Sequence, residues 1–266
     1  MGEDAVSESP FEGMPWFRIG AGPPLVVLPG LTPRHAVPGG PAFLAEARPL
    51  GPLARRREVW WVNRRAGLAP ETTMADIAAD YAERLPNLGG PVDVLGISTG
   101  ASVALQLAAD YPGLIRRLVM VAGGCRLGPG GKAGQRALLR RLEAGDLRGA
   151  GAEMVRLVGV RPASRSLEGW AGWMIGPWMY RGSTEDVAAV LRAEDAYDLT
   201  PRLDCITVPT LVLGGDEDTP YGPAVFRETA RGMPRGQLII YYGRGHVGVM
   251  LTPGFSRDVL AFLDAP

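Results

Sequence analysis

Lysine is all but missing from this chain of 266 residues: Lys132 stands alone, and arginine carries the rest of the positive charge. That imbalance reads as codon usage rather than chemistry. The 28 basic residues are matched by 28 acidic ones, so no global field draws the chain onto nucleic acid or an anionic membrane, and neither is expected as a partner. Cysteine is nearly as scarce. Cys125 and Cys205 lie far apart without metal-ligand spacing, so no metal is expected and two buried, reduced thiols are. There is no apolar run of about eighteen residues to cross a bilayer. The nearest stretch, Val94 to Ala109, is broken at Ser98-Thr99-Gly100. The opening MGEDAVSESP is acidic and has no apolar centre, unlike a secretory signal, so the expected location is cytoplasmic. Repeats, low-complexity tracts, a Walker loop and a G-x-G-x-x-G fingerprint are missing too, and no organic cofactor is expected.

What is present is an alternation. Apolar residues make up 46% and charged residues 21%, an ordinary globular balance that rules out wholesale disorder. Short β-like runs occur at 24–30 (PLVVLPG), 58–63 (EVWWVN), 92–97 (VDVLGI), 115–123, 209–215 (PTLVLGG) and 236–243, with a candidate edge strand at 15–20. Helical spacing falls between them. Met74, Ile77, Ala78, Tyr81, Ala82 and Leu85 share a face over 74–85, with Thr73 and Asp76 placed as a capping box. A second helix is expected over 101–111, and a last one carries Phe255, Val259, Phe262 and Leu263 on one face. Continuous Val/Ile/Leu runs suit strands covered on both faces. The expected fold is therefore α/β, a mostly parallel central sheet with helices on both faces. Residues 124–205 break the rhythm and read as an inserted helical cap, leaving 1–123 and 206–266 as the core.

The most informative stretch is Gly96-Ile97-Ser98-Thr99-Gly100, between a strand and a helix. A strand that turns sharply into a helix forces the middle residue into a strained conformation and lifts its side chain clear, while its flanks must be tiny. Ser98 is either a nucleophile presented this way or a small polar residue in a tight turn. A serine nucleophile needs a base. Only His35 and His246 are available; His246 follows the last strand, and His35 sits in a Pro/Gly-rich loop. The imidazole in turn needs a carboxylate, and Asp216, Glu217 and Asp218 follow the strand at 209–215.

Taken together, GISTG, PTLVLGGDEDTP and GRGH, in the order Ser…Asp…His, resemble the α/β-hydrolase-fold superfamily over almost the whole chain. The resemblance implies a Ser-His-Asp triad of Ser98, His246 and Asp218, the acid three residues beyond Gly215, with Asp216 as second choice. It also implies an oxyanion hole made by the backbone N–H groups of Leu31 and Thr99. Relatives commonly carry His-Gly after the first core strand, whereas Pro29-Gly30 stands here. A main-chain donor does not depend on the side chain at 29.

The segment 168–180, with Trp170, Trp173, Met174, Ile175, Trp178, Met179 and Tyr180, reads as helix packing, as a pocket lining or as a docking face. The cap position favours Trp170, Trp173, Met174 and Trp178 beside an acyl pocket, together with Thr32 and His35 from the loop 32–41. The expected activity is hydrolysis of a carboxylic ester through an acyl-enzyme on Ser98, with a small-molecule acyl substrate. Acyl transfer, thioester or amide hydrolysis and perhydrolysis use the same triad. A ligand-binding protein with little turnover is the alternative from another class. Nothing in the sequence indicates an oligomeric state.

Overall fold

The computed structural model describes residues 9–159, 165–182 and 184–266; residues 1–8 of the acidic opening, and 160–164 and 183 within the expected cap, lie outside the described residues. Strands β1 (Trp16–Ile19), β2 (Pro24–Leu28), β3 (Glu58–Val62), β4 (Val92–Ile97), β5 (Ile115–Val121), β6 (Thr210–Gly215) and β7 (Gly236–Tyr241) form a seven-stranded sheet. Their spatial order is β1-β3-β2-β4-β5-β6-β7, and every pairing is parallel except that of β1 with β3. The edge strand at the start is thus the one antiparallel member.

Successive strand residues point to opposite faces. Leu25 and Val27 of β2 pack with Leu50 and Leu53 of α1 (Gly40–Ala54) and with Val259 of α9 (Phe255–Leu263). Val26 and Leu28 face the other way, onto Ile77 of α2 (Met74–Arg84), Val103 of α3 (Thr99–Asp110) and Phe226 of α8 (Gly222–Gly232). The capping box at Thr73 and Asp76 forms in both directions. Helix α1 departs from the expected loop over 32–41 and continues through Gly51, Pro49 and Pro52. Prolines remove helix hydrogen bonds, but the buried Leu50 and Leu53 hold this segment to the sheet.

Between β5 and β6 run α4 (Pro129–Glu143), α5 (Leu147–Val158), α6 (Arg165–Met179) and α7 (Thr184–Ala196). They enclose a small core of their own, including Leu138, Met154, Tyr180 and Leu191. Helix α7 also gives Ala189, Val190 and Ala193 to the main core. Helices α5 and α6 meet along glycines: a Cβ on Gly172 would lie 2.3 Å from the Gly151 carbonyl oxygen, and one on Gly176 would lie 2.1 Å from that of Leu147. Cys125 is buried as expected, but Cys205 is exposed, because it ends a short helical turn at the surface just before β6; both are free thiols. No helix among the described residues is long and apolar enough to cross a membrane.

The register brings Leu28 beside Gly96 and Ile97 beside Val121, so the carboxyl ends of the central strands share one edge, where open α/β sheets bind ligands. The glycine contact between α5 and α6 gives a direct test of packing. Gly172→Ala should destabilise the protein by about 1–3 kcal/mol in thermal or urea unfolding. Trp173→Ala, on the exposed side of the same helix, should stay within about 0.5 kcal/mol.

Candidate active site

Ser98 sits at the junction of β4 and α3 with φ 53° and ψ −122°, a backbone region that non-glycine residues rarely adopt. Its neighbours leave it no alternative. A Cβ on Gly96 would lie 2.5 Å from the Gly100 carbonyl oxygen, and one on Gly100 would lie 2.2 Å from that of Leu28. The Ser98 amide donates to the Val121 carbonyl at 2.8 Å, fixing the turn to the end of β5. The side chain is therefore held above the sheet edge.

His246 arrives on the turn after β7. Its Nε2 lies 2.8 Å from Ser98 Oγ, and its Nδ1 lies 2.7 Å from Asp218 Oδ2. Both His246 and Asp218 are buried. The other oxygen of Asp218 accepts from the backbone amides of Tyr221 at 2.8 Å and Gly222 at 3.3 Å, which orients the carboxylate. Asp216 goes elsewhere: its Oδ1 accepts from the amides of Gly243 and Arg244 at 2.7 and 3.3 Å, bracing the loop that delivers His246. An imidazole bridging a hydroxyl and a carboxylate in this way can remove the hydroxyl proton.

Thr99 N–H opens α3, where the first amides lack intrahelical acceptors. Leu31 N–H has no acceptor among the described residues. A Cβ on Gly30 would come within 3.3 Å of Ser98 Cβ, so the Gly30-Leu31 segment lies against the Ser98 turn.

Beneath Ser98 lies a carboxylate that sequence reasoning missed. Glu194 of α7 is fully buried and accepts from Thr99 Oγ1 at 2.8 Å, Gln135 Nε2 at 2.7 Å and Tyr221 Oη at 2.6 Å. No cation lies within ion-pair distance of it among the described residues. Its only trace in the sequence is a glutamate amid the apolar residues of α7.

Ser98 opens into a cavity of about 340 Å³ walled by Leu31, Thr32, Ile97, Met154, Val158 and Met179, among others. Glu46 of α1 is its carboxylate. Burial pushes the Glu46 pKa up, while the Trp61 indole N–H, donating at 3.0 Å, opposes the rise. Thr32 lines this cavity, and Trp178 lines a smaller groove beside it. Trp170, Trp173 and Met174 do not line it: they are 61%, 43% and 50% exposed. The glycines of α6 claim the face toward α5, which turns these side chains outward. Gly169, Gly172 and Gly176 carry that signal in the sequence.

His35 also lies outside the cavity wall. It is buried, with Nδ1 donating to the Arg65 carbonyl at 2.9 Å and Nε2 accepting from Arg64 Nε at 3.4 Å. Burial, and next the Arg64 charge, lower its pKa to about 4, with the Arg65 carbonyl and Asp186 opposing. Among the described residues no group of three His, Cys, Asp or Glu side chains is placed to hold a metal ion.

A family model described as "Alpha/beta hydrolase family" matches residues 25–258. Pyrrolizixenacetamide deacetylase of Xenorhabdus hominickii is 30% identical over 130 residues, an alignment spanning 48% of this chain and 48% of that protein. Among solved structures, the enol-lactonase of Burkholderia xenovorans LB400 superposes with a TM-score of 0.76 at 21% identity, covering 97% of this chain and 99% of that one. A hydrolase from a Medee basin deep-sea metagenome, MGS-M2, gives 0.79 at 18% identity, covering 94% of each chain. At these identities the two structures speak for the fold alone.

The buried imidazole at 35 predicts a stability change with pH. Folding favours neutral His35, whereas the unfolded chain takes up a proton below its ordinary pKa of 6.5. Its contribution is therefore complete above that value and is lost as pH falls toward about 4. The loss reaches at most about 3 kcal/mol. Urea unfolding at about pH 7 and about pH 4.5 should show a larger drop for the wild type than for His35→Gln.

Proposed function

The chain belongs to the alpha/beta hydrolase family, and from that premise we propose that it is a serine hydrolase that cleaves carboxylic esters of apolar acyl groups through an acyl-enzyme on Ser98. One observation carries the reading: the continuous hydrogen-bonded chain from Ser98 Oγ through His246 to Asp218, opening on an apolar cavity.

In this reading Ser98 Oγ attacks the acyl carbonyl carbon as His246 Nε2 takes its proton, and Asp218 balances the imidazolium through Nδ1–H. The carbonyl oxygen, now negative, receives the N–H groups of Leu31 and Thr99. Loss of one such donor typically costs about 3 kcal/mol of barrier. The imidazolium then protonates the departing alkoxide. Water attacks the acyl-enzyme with His246 again as base, and the carboxylic acid leaves. Helices α5 and α6 act as the cap: Met154, Val158 and Met179 face the acyl chain, while the tryptophans of α6 stay outside the pocket.

Labelling and turnover test the proposal. A fluorophosphonate should label the wild type and leave Ser98→Ala unlabelled, with ester turnover falling by at least about 10⁴-fold. Asp218→Asn should lower kcat by about 10³–10⁴-fold. Asp216→Asn keeps an acceptor oxygen for Gly243 and should stay within about tenfold. Among p-nitrophenyl esters, butyrate and hexanoate should be hydrolysed faster than palmitate. Persistent labelling of Ser98→Ala overturns the assignment, and tight binding of apolar ligands without turnover of any ester or thioester favours a receptor.

A further inference from the structure

We infer that Arg64 is a positioning residue for the oxyanion-binding amide: from the end of β3 its buried guanidinium grips the Gly30 carbonyl and so aims the Leu31 N–H into the Ser98 cavity. The inference rests on the acyl-enzyme reading above and extends it to a residue that touches no reacting atom.

Arg64 is 1% exposed, yet no carboxylate lies within ion-pair distance of it among the described residues. Burying a charge this way is costly unless its hydrogen bonds are satisfied. Here they are spent on one loop. Nη2 donates to the Gly30 carbonyl at 2.8 Å and to Thr32 Oγ1 at 3.1 Å, Nη1 donates to the Pro29 carbonyl at 3.3 Å, and Nε points to His35. Burial lowers the guanidinium's pKa, and the surrounding Tyr81, Glu194, Glu46 and Asp186 oppose that. Asn63 braces the same loop, accepting from Thr32 Oγ1 at 3.1 Å and donating to the Arg34 carbonyl at 3.0 Å.

The consequence follows from peptide geometry. In a trans peptide the C=O and N–H point in opposite directions, and no cis bond occurs among the described residues. Fixing the Gly30 oxygen on Arg64 therefore sends the Leu31 N–H the other way, toward the cavity that Gly30, Leu31 and Ser98 line together. Glycine at 30 has no Cβ to forbid a flip of that peptide. Pro29 lacks an N–H that might replace the lost donor. A held carbonyl is what keeps this amide pointed at the nucleophile.

The test compares Arg64→Ala, Arg64→Lys and the wild type by ester kinetics, with thermal unfolding to establish that each is folded. Arg64→Ala should lower kcat by about 10²-fold, the effect of losing one oxyanion donor, with KM changed by less than about threefold. Millimolar ethylguanidinium should restore at least about tenfold of that kcat and leave the wild type unchanged. Arg64→Lys, which can still reach one carbonyl, should fall between the two. If Arg64→Ala does not fold, the kcat-against-KM split in Arg64→Lys decides alone. A folded Arg64→Ala with wild-type kcat overturns the inference, as does a loss that appears in KM and resists ethylguanidinium. These failures differ from failure of the acyl-enzyme reading, in which Ser98→Ala itself would stay active.

Discussion

With no atom beyond Cα at position 100, the first turn of α3 packs directly onto the carbonyl oxygens of Leu28 and Pro29, where a Cβ would meet them at 2.2 and 2.5 Å. That approach drives Ser98 into positive φ, a conformation costing on the order of 1–3 kcal/mol that persists only where the surroundings over-determine it. Gly96 permits the turn from below and the Val121 carbonyl fastens it from the side. Every other group at the site is arranged around a hydroxyl whose position this packing dictates.

Two buried ionisable side chains, Glu194 and Arg64, brace the segments around Ser98, and neither makes a salt bridge among the described residues. Glu194 gathers donors from the start of α3 beside Ser98, from α4 and from Tyr221 after the Asp218 loop. Arg64 gathers the carbonyls of the loop after β2. Each exchanges hydration for a set of hydrogen bonds reaching into different stretches of chain, so polar networks join the apolar packing of Leu31 and Tyr221 in holding the loops at the sheet edge. Tyr221 shows the economy of this arrangement: its amide orients Asp218 while its hydroxyl answers Glu194.

The strands were legible because most of them are short, mainly apolar runs, and their parallel pairing because they alternate with helices. The pentapeptide at 96–100 was legible because its steric demands fall on adjacent residues. Helix α1 was not, since Pro49, Gly51 and Pro52 argue locally against the helix that burial of Leu50 and Leu53 enforces. The cap position favours Trp170, Trp173 and Met174 beside the pocket, whereas the glycines interleaved with them set which side of α6 turns inward. Arg64 and Glu194 carry no motif in the sequence; their main partners lie tens of residues away along the chain and are supplied only by the fold.

The reach of Glu194 under α3 bears on how such a scaffold can diversify. A graft that exchanged all four helices between β5 and β6 for those of another protein would take Glu194 from the buried Thr99 hydroxyl and leave Tyr221 Oη with Ser102 Oγ as its partner. Helices α5 and α6 make no such contact with the Ser98 turn and border the cavity through side chains such as Met154 and Met179. Replacing α5 and α6 would leave the hydrogen bonds of Glu194 intact, whereas replacing α7 would remove them from beneath the Ser98 turn.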